Sequence, residues 1–261
     1  MRHDKYPRAS VPAIASAIIA AMTLSGCSSS NQLISSGTQP VNGAPIYRQP
    51  PPSTAQRLED RAQQIYSATG KALEGLIAYA KLHPDEFEDV SVQKVGATTE
   101  VKFVSSKKGF FPAGIYVLNR IEKAQDRHGV VFTDLVVNAT REVLEVVKGA
   151  AGQVEIEATY AAQADGLPVR NLRYRGEFGA LVNLPPEITS LNGKPATIRI
   201  TKGQSIDNVQ LAALRAVSLS TFVHGALNSH AIKDRFVLTT TNERGIEHRW
   251  VELTVKIAPA P

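Results

Sequence analysis

Residues 206–223 read IDNVQLAALRAVSLSTFV, and this stretch decides the fold. Ala212, Ala216, Leu219, Val223 and Ala226 recur at alternating spacings of four and three, which places them on one face of an α-helix. Their small size lets such a helix lie close against a sheet. Asp207 and Gln210 supply a capping-box pattern at its start. Beside the apolar stripe stands one arginine, Arg215, seven residues after Asn208 and therefore about 20° from eclipsed with it. A guanidinium in that place is either an idle surface charge or a group aimed at a ligand.

The surroundings of this helix depend on where the chain resides. The chain has 261 residues, 43% hydrophobic and 20% charged, which suits one main globular domain with an appendage. Its formal charge of +5 is mild and dispersed, and Arg2, Lys5 and Arg8 of the leader carry part of it. Such a balance does not argue for a nucleic-acid partner. Residues 1–26 have the layout of a secretory signal, with a basic start and an apolar run too short to span a bilayer comfortably. The run ends in LSGC, residues 24–27, which resembles a bacterial lipobox, and Cys27 is the chain's single cysteine. Lipidation at Cys27 is expected, with the mature chain held in an envelope membrane by its acyl chains. Ser28 stands where an aspartate commonly marks inner-membrane retention in lipoproteins, which implies the outer membrane, facing the periplasm. No thiol then remains for a disulfide, a nucleophile or a metal site.

Residues 27–52 are rich in Ser, Gly and Pro and almost uncharged, the composition of a flexible linker. Such a segment reaches about 25–30 Å as a coil. Residues 53–83 form an amphipathic helix in which Ser53 and Gln56 make a capping box and Leu58, Ala62, Ile65, Thr69, Ala72, Leu76 and Tyr79 line one face. That face fits either a short coiled coil or docking onto the protein's own domain. Residues 90–261 read as one domain. SVQKV and TEVKFV have the texture of strands, KKGFFPAG is a turn-rich loop, and YVLNRIEKA fits a short helix or a strand. Residues 133–150 are helical, and residues 153–161 alternate as a strand with Val154, Ile156 and Ala158 on one face. Residues 162–200 have the character of an inserted, β-rich segment with hairpin punctuation at Asn192-Gly193. DRFVLTTT and HRWVELTVKI close the chain as strands, the second with Val251, Leu253, Val255 and Ile257 on one face.

Enzyme signatures are missing from this sequence. There is no Walker loop, nucleophile elbow or dinucleotide fingerprint. His224 and His230 are six apart, on opposite sides of a helix, which does not suit a metal. Ser105 and Lys108 formally make an SxxK pair, but in a strand-to-loop stretch. Glu155 and Glu157 share a solvated strand face, and Arg170, Arg173 and Arg175 read as another wet face. No catalytic residue, metal site or cofactor is expected.

From Asn208 the chain reads N-x-x-L-A-x-x-R-A-x-S-L-x-x-F-V, which resembles the second helix of the OmpA/Pal/MotB-type peptidoglycan-associating domain. EHRWVEL, residues 247–253, resembles that family's closing strand and retains Arg249, Val251 and Glu252. KGFFPAG, the following helix and VEIEATY match its first strand, first helix and second strand in order. The resemblance implies an α+β fold, an OmpA-like β-α-β-α-β-β sandwich of helices on a mixed sheet, here with an N-terminal helix and an inserted β-rich segment. It also implies that Arg215 pairs with the free carboxylate of the peptidoglycan stem peptide, noncovalently and without turnover. Asn208, Asp207, Thr159 and Arg249 complete the peptidoglycan-binding set that the resemblance suggests. The chain departs from the family at the end of the second strand, where an aspartate normally takes the ligand's ammonium. EATYAAQ offers only Thr159 or Tyr160 near that place, and Asp165 and Asp207 are the nearest carboxylates in sequence. Two roles follow. In one, an outer-membrane lipoprotein grips the cell wall through Arg215. In the other, the OmpA-like domain is a non-catalytic structural subunit of an envelope-spanning secretion or conjugation machine and meets protein partners through residues 53–83 and 162–200.

Overall fold

The computed structural model describes residues 52–108, 110–118, 128–151, 153–226 and 232–260. Cys27, the signal segment and the linker lie outside the described residues, as does most of YVLNRIEKA.

Helix α1 spans Thr54–Leu82 and begins where its capping residue dictates, with the Gln56 N–H donating to Ser53 Oγ at 3.2 Å. It ends before Pro84, which cannot continue a helix. Strands β1 (Phe87–Val95) and β2 (Thr98–Ser105) follow as an antiparallel hairpin. Its turn uses Gly96 at φ +60°, a left-handed conformation that favours glycine. Helix α2 (His128–Ala151), strand β3 (Val154–Ala164), helix α3 (Asn208–Ala226), strand β8 (Ile232–Thr240) and strand β9 (Val251–Pro259) make the body. Between β3 and α3 lie four short strands: β4 (Leu181–Leu184), β5 (Thr189–Leu191), β6 (Lys194–Pro195) and β7 (Ile198–Thr201).

The main sheet has seven strands in the order β1-β2-β9-β3-β8-β5-β6, and β4 pairs with β7 as a separate ribbon. Strand β3 runs parallel to β8 and antiparallel to β9. Register decides which side chains share a face. Val101 and Phe103 stand opposite Val255 and Leu253, and Ile156, Tyr160 and Ala162 stand opposite Ile257, Leu253 and Val251. All are buried, and the helices pack over them. The opposite face carries cross-strand ion pairs at Lys102–Glu252, Lys233–Glu155 and Arg235–Glu157. One apolar face and one wet face suit a sheet with antiparallel pairs.

With the four short strands β4–β7 set aside, the order from β2 onward is strand, helix, strand, helix, strand, strand, compatible with the OmpA-like α+β fold expected from the sequence. Three particulars differ from expectation. Strand β3 runs to Ala164, so the inserted segment begins at Asp165 instead of 162. It continues to Asp207, past TIRI, before α3 starts. The reason is that alanines at 161, 162 and 164 are all buried, and small residues hide the alternation by which a strand end is read. Residues 110–114, FFPAG, lie in the loop after β2, and the strand that precedes α2 is TTEVKFVS. Helix α1 packs on α2, β1, β2 and β9 of its own chain, one of the two arrangements its sequence allowed, and the third difference is the line it buries. Its buried line runs Ala62, Ile65, Thr69, Leu73 and Ala80, leaving the 72–76–79 line half-buried. A straight helix drifts about 20° per heptad against a seven-residue pattern, which moves the contact line over 29 residues.

Candidate functional site

Helix α3 begins with a complete capping box: the Gln210 N–H donates to Asp207 Oδ1 at 2.9 Å and the Asp207 N–H to Gln210 Oε1 at 3.0 Å. One residue on, Asn208 Nδ2 donates to the backbone oxygen of Asp165 at 2.8 Å, tying the helix start to the end of β3. Residues 211–216 are then buried without interruption. A helix buried all round is enclosed, not half-exposed. Here β3, β8 and β9 lie beneath it, and β7 of the insertion touches it as well.

Arg215 is therefore fully buried. Its Nε donates to the Ile115 carbonyl at 3.1 Å and its Nη1 to the Gln163 carbonyl at 2.8 Å. Its Cζ lies 4.6 Å from the centroid of the Phe111 ring, a cation–π distance. Its Nη2 finds no acceptor. Beside it Arg249, placed just before β9, donates through Nη2 to Asp165 Oδ2 at 2.8 Å, and both side chains are buried. Arg249 Nε has no acceptor either, and Asn208 Oδ1 receives no donor.

Two neighbouring guanidinium groups thus feel one carboxylate, which bonds Arg249 alone. Burial, followed by repulsion from Arg249, lowers the Arg215 pKa to about 9, and attraction to Asp165 opposes the change. Arg215 stays charged at neutral pH, so the cluster holds one positive charge in excess. An uncompensated buried charge is costly, and each unmet buried donor adds about 1–3 kcal/mol. The arrangement suits a small anion that brings acceptors to Nη2 and Nε.

Of the residues expected at the site, the structure brings Arg215, Arg249 and Asn208 together. Asp207 caps α3 from an exposed position. Thr159 points to the wet face of the sheet, where it lines a groove with Thr254, Glu252 and Lys102, so it does not meet Arg215. Of the two carboxylates nearest in sequence, Asp165 and Asp207, only Asp165 joins the cluster. Asp165 directly follows β3 and turns inward. Gly166 next to it lies so close to Asn242 that an added Cβ would meet that residue's carbonyl oxygen at 2.3 Å. The Asp-Gly dipeptide after an alternating run was the available signal. Phe111 and the carbonyls of Ile115 and Gln163 left no sequence signal, because nothing in a backbone oxygen is residue-specific. Ser105, of the formal SxxK pair, is buried and accepts from the Val251 N–H at 3.0 Å, a structural contact. Among the described residues no group of three or more His, Cys, Asp or Glu is placed to hold a metal ion, and no helix is long and apolar enough to cross a membrane.

No protein-family model matches the chain, and no curated protein matches it. Among solved structures the chain is similar to a MotB-like protein from Desulfovibrio vulgaris, at 12% sequence identity and a TM-score of 0.39, over 77% of this chain and 96% of that one. The likeness is a distant one.

Proposed function

We propose that this chain is a non-enzymatic, lipid-anchored envelope protein that associates with peptidoglycan through the Arg215 cluster. In this reading Cys27 carries the lipid in the outer membrane, the linker reaches into the periplasm, and the domain meets the wall. One observation carries the proposal: of two buried guanidinium groups only Arg249 bonds a carboxylate, Asp165, and Arg215 Nη2 and Arg249 Nε remain unmet. The stem peptide of peptidoglycan ends in groups of the required kind. Its free carboxylate would accept from the two arginines, and its ammonium would face Asp165 and Asn208 Oδ1. A charge-assisted contact of this type contributes about 1.5–3 kcal/mol, or roughly ten- to hundredfold in affinity.

The test is co-sedimentation of the mature protein with insoluble peptidoglycan, alongside Arg215→Ala. Retention of the wild type with at least tenfold weaker retention of the variant is the expected result. Wild-type protein left wholly in the supernatant would refute wall association.

A second reading is favoured by a different observation, the complete burial of Arg215 and the bonding of its Nε and Nη1 to two backbone carbonyls. Here the cluster is an internal strut, and the domain serves as a structural subunit of an envelope machine, with contacts through residues 53–83 and 162–200. Cross-linking from exposed insertion positions such as Leu181 in intact cells separates the two. Specific capture of an envelope protein, with no wall retention, would select the second reading.

A further inference from the structure

We propose that residues 110–118 form a closed cover over the Arg215 cluster, fastened to the insertion by Tyr116 and Glu177, and that ligand access requires this fastening to release. The inference rests on the reading of the cluster as the wall-ligand site.

The cover is built from one short segment. Phe111 lies over the guanidinium, and its N–H donates to the Arg249 carbonyl at 3.3 Å. Ile115 gives its carbonyl to Arg215 Nε. The Leu118 N–H donates to Ser218 Oγ of α3 at 3.0 Å. Between these points the chain turns at Pro112 and at Gly114, whose φ of +70° favours glycine. The same segment thus covers Arg215 and bonds to the Arg249 backbone, and the two unmet donors beside it are buried.

The insertion supplies the anchor. Tyr116 Oη donates to Glu177 Oε2 at 2.9 Å, and the Tyr116 ring meets Phe178 edge-on at 6.4 Å. The anchor is itself rigid, because Tyr174 Oη accepts from the Phe178 N–H at 2.9 Å and donates to the Gly179 carbonyl at 2.8 Å. Tyr174 is fully buried and its backbone bonds to Gln204 and Gly203. The insertion therefore has a mechanical role for this site: it holds the post-β2 loop down on helix α3.

The consequence is quantitative. When only the open form binds, apparent affinity falls by the open fraction, so a tenfold gain in opening gives a tenfold gain in apparent affinity. Removing a hydrogen bond to a charged acceptor shifts such an equilibrium by about tenfold or more.

Tyr116→Phe and Glu177→Gln in the mature protein test the proposal, each with and without Arg215→Met. Urea unfolding confirms that each variant is folded. Amide hydrogen exchange across residues 111–118 reads the cover, and retention on insoluble peptidoglycan reads the ligand. Exchange about tenfold faster in both fastening variants, with retention raised about tenfold and the gain lost with Arg215→Met, is the expected result. Unchanged exchange in both variants overturns the fastening. Faster exchange with wild type and variants retained equally leaves wall binding intact and overturns its control by the cover. Faster exchange with nothing retained in any protein refutes the wall-ligand reading itself, and the control with it.

Discussion

Arg215 contributes to this fold as a donor and opposes it as a charge. Its carbonyl partners offset part of its desolvation, while Arg249 works against it. Asp165 is the only carboxylate hydrogen-bonded within the cluster among the described residues, which sets an order for substitutions. Asp165→Asn strands the buried Arg249 and removes the attraction on Arg215, and should cost about 3–5 kcal/mol in urea unfolding. Arg215→Met keeps the bulk, removes the repulsion and should cost less than Asp165→Asn, although it leaves two carbonyls short of a donor. The reverse order would place the cluster's strain elsewhere. A second residue gives a pH signature. Tyr79 Oη donates to Glu86 Oε2 at 2.8 Å, and burial, then that bond, raises its pKa to about 12 from 10.0. A raised pKa means stability that is whole below pH 10 and is lost as pH climbs toward about 12. Tyr79→Phe should lose less stability than wild type across that interval in unfolding measured at stepped alkaline pH.

The helices show how far local chemistry carries. Both capping boxes were spelled out in sequence, at Ser53 with Gln56 and at Asp207 with Gln210, and both caps form. Replacing Asp207 by Ala should cost about 1 kcal/mol in thermal or urea unfolding. Leu73 marks the limit of the periodic reading of α1. It is fully buried although the regular stripe passes through Ala72, so Leu73→Ala should cost about 2–5 kcal/mol. An equal loss at Ala72→Gly alone would instead put the contact line where the pattern did. The buried state of Arg215 was not legible for a plainer reason. Its partners Ile115 and Gln163 are 100 and 52 residues away in the chain, and neither interaction uses a side chain that a motif could name. The inserted strands were legible only as texture, since strands of two to four residues are too short to display alternation. Asp165 was visible as one of two nearby carboxylates, but its place at the end of β3 was not, because small buried alanines concealed how long that strand runs.

Across the described body, from α1 to β9, the appendages are parts of the core. The helix that opens it rests on α2, and the insertion lends β5 to the main sheet beside β8. Unfolding of one should therefore take the others with it. Fluorescence of Trp250, the chain's single tryptophan, sits next to the Arg249 cluster and should report the same urea midpoint as far-UV circular dichroism. An earlier dichroism transition would show that α1 or the insertion melts separately. The two rims of the sheet differ in a way that governs association. At one rim β6 is two residues long and contains Pro195, which has no N–H to offer a neighbouring chain. At the other, β1 runs nine residues, guarded by Glu88, Asp89, Lys94 and a register shift near Phe87. A strand rim of useful length thus exists on one side only among the described residues. Rim-to-rim pairing between copies closes after two molecules, and the filament that two open rims would permit has no second end from which to grow.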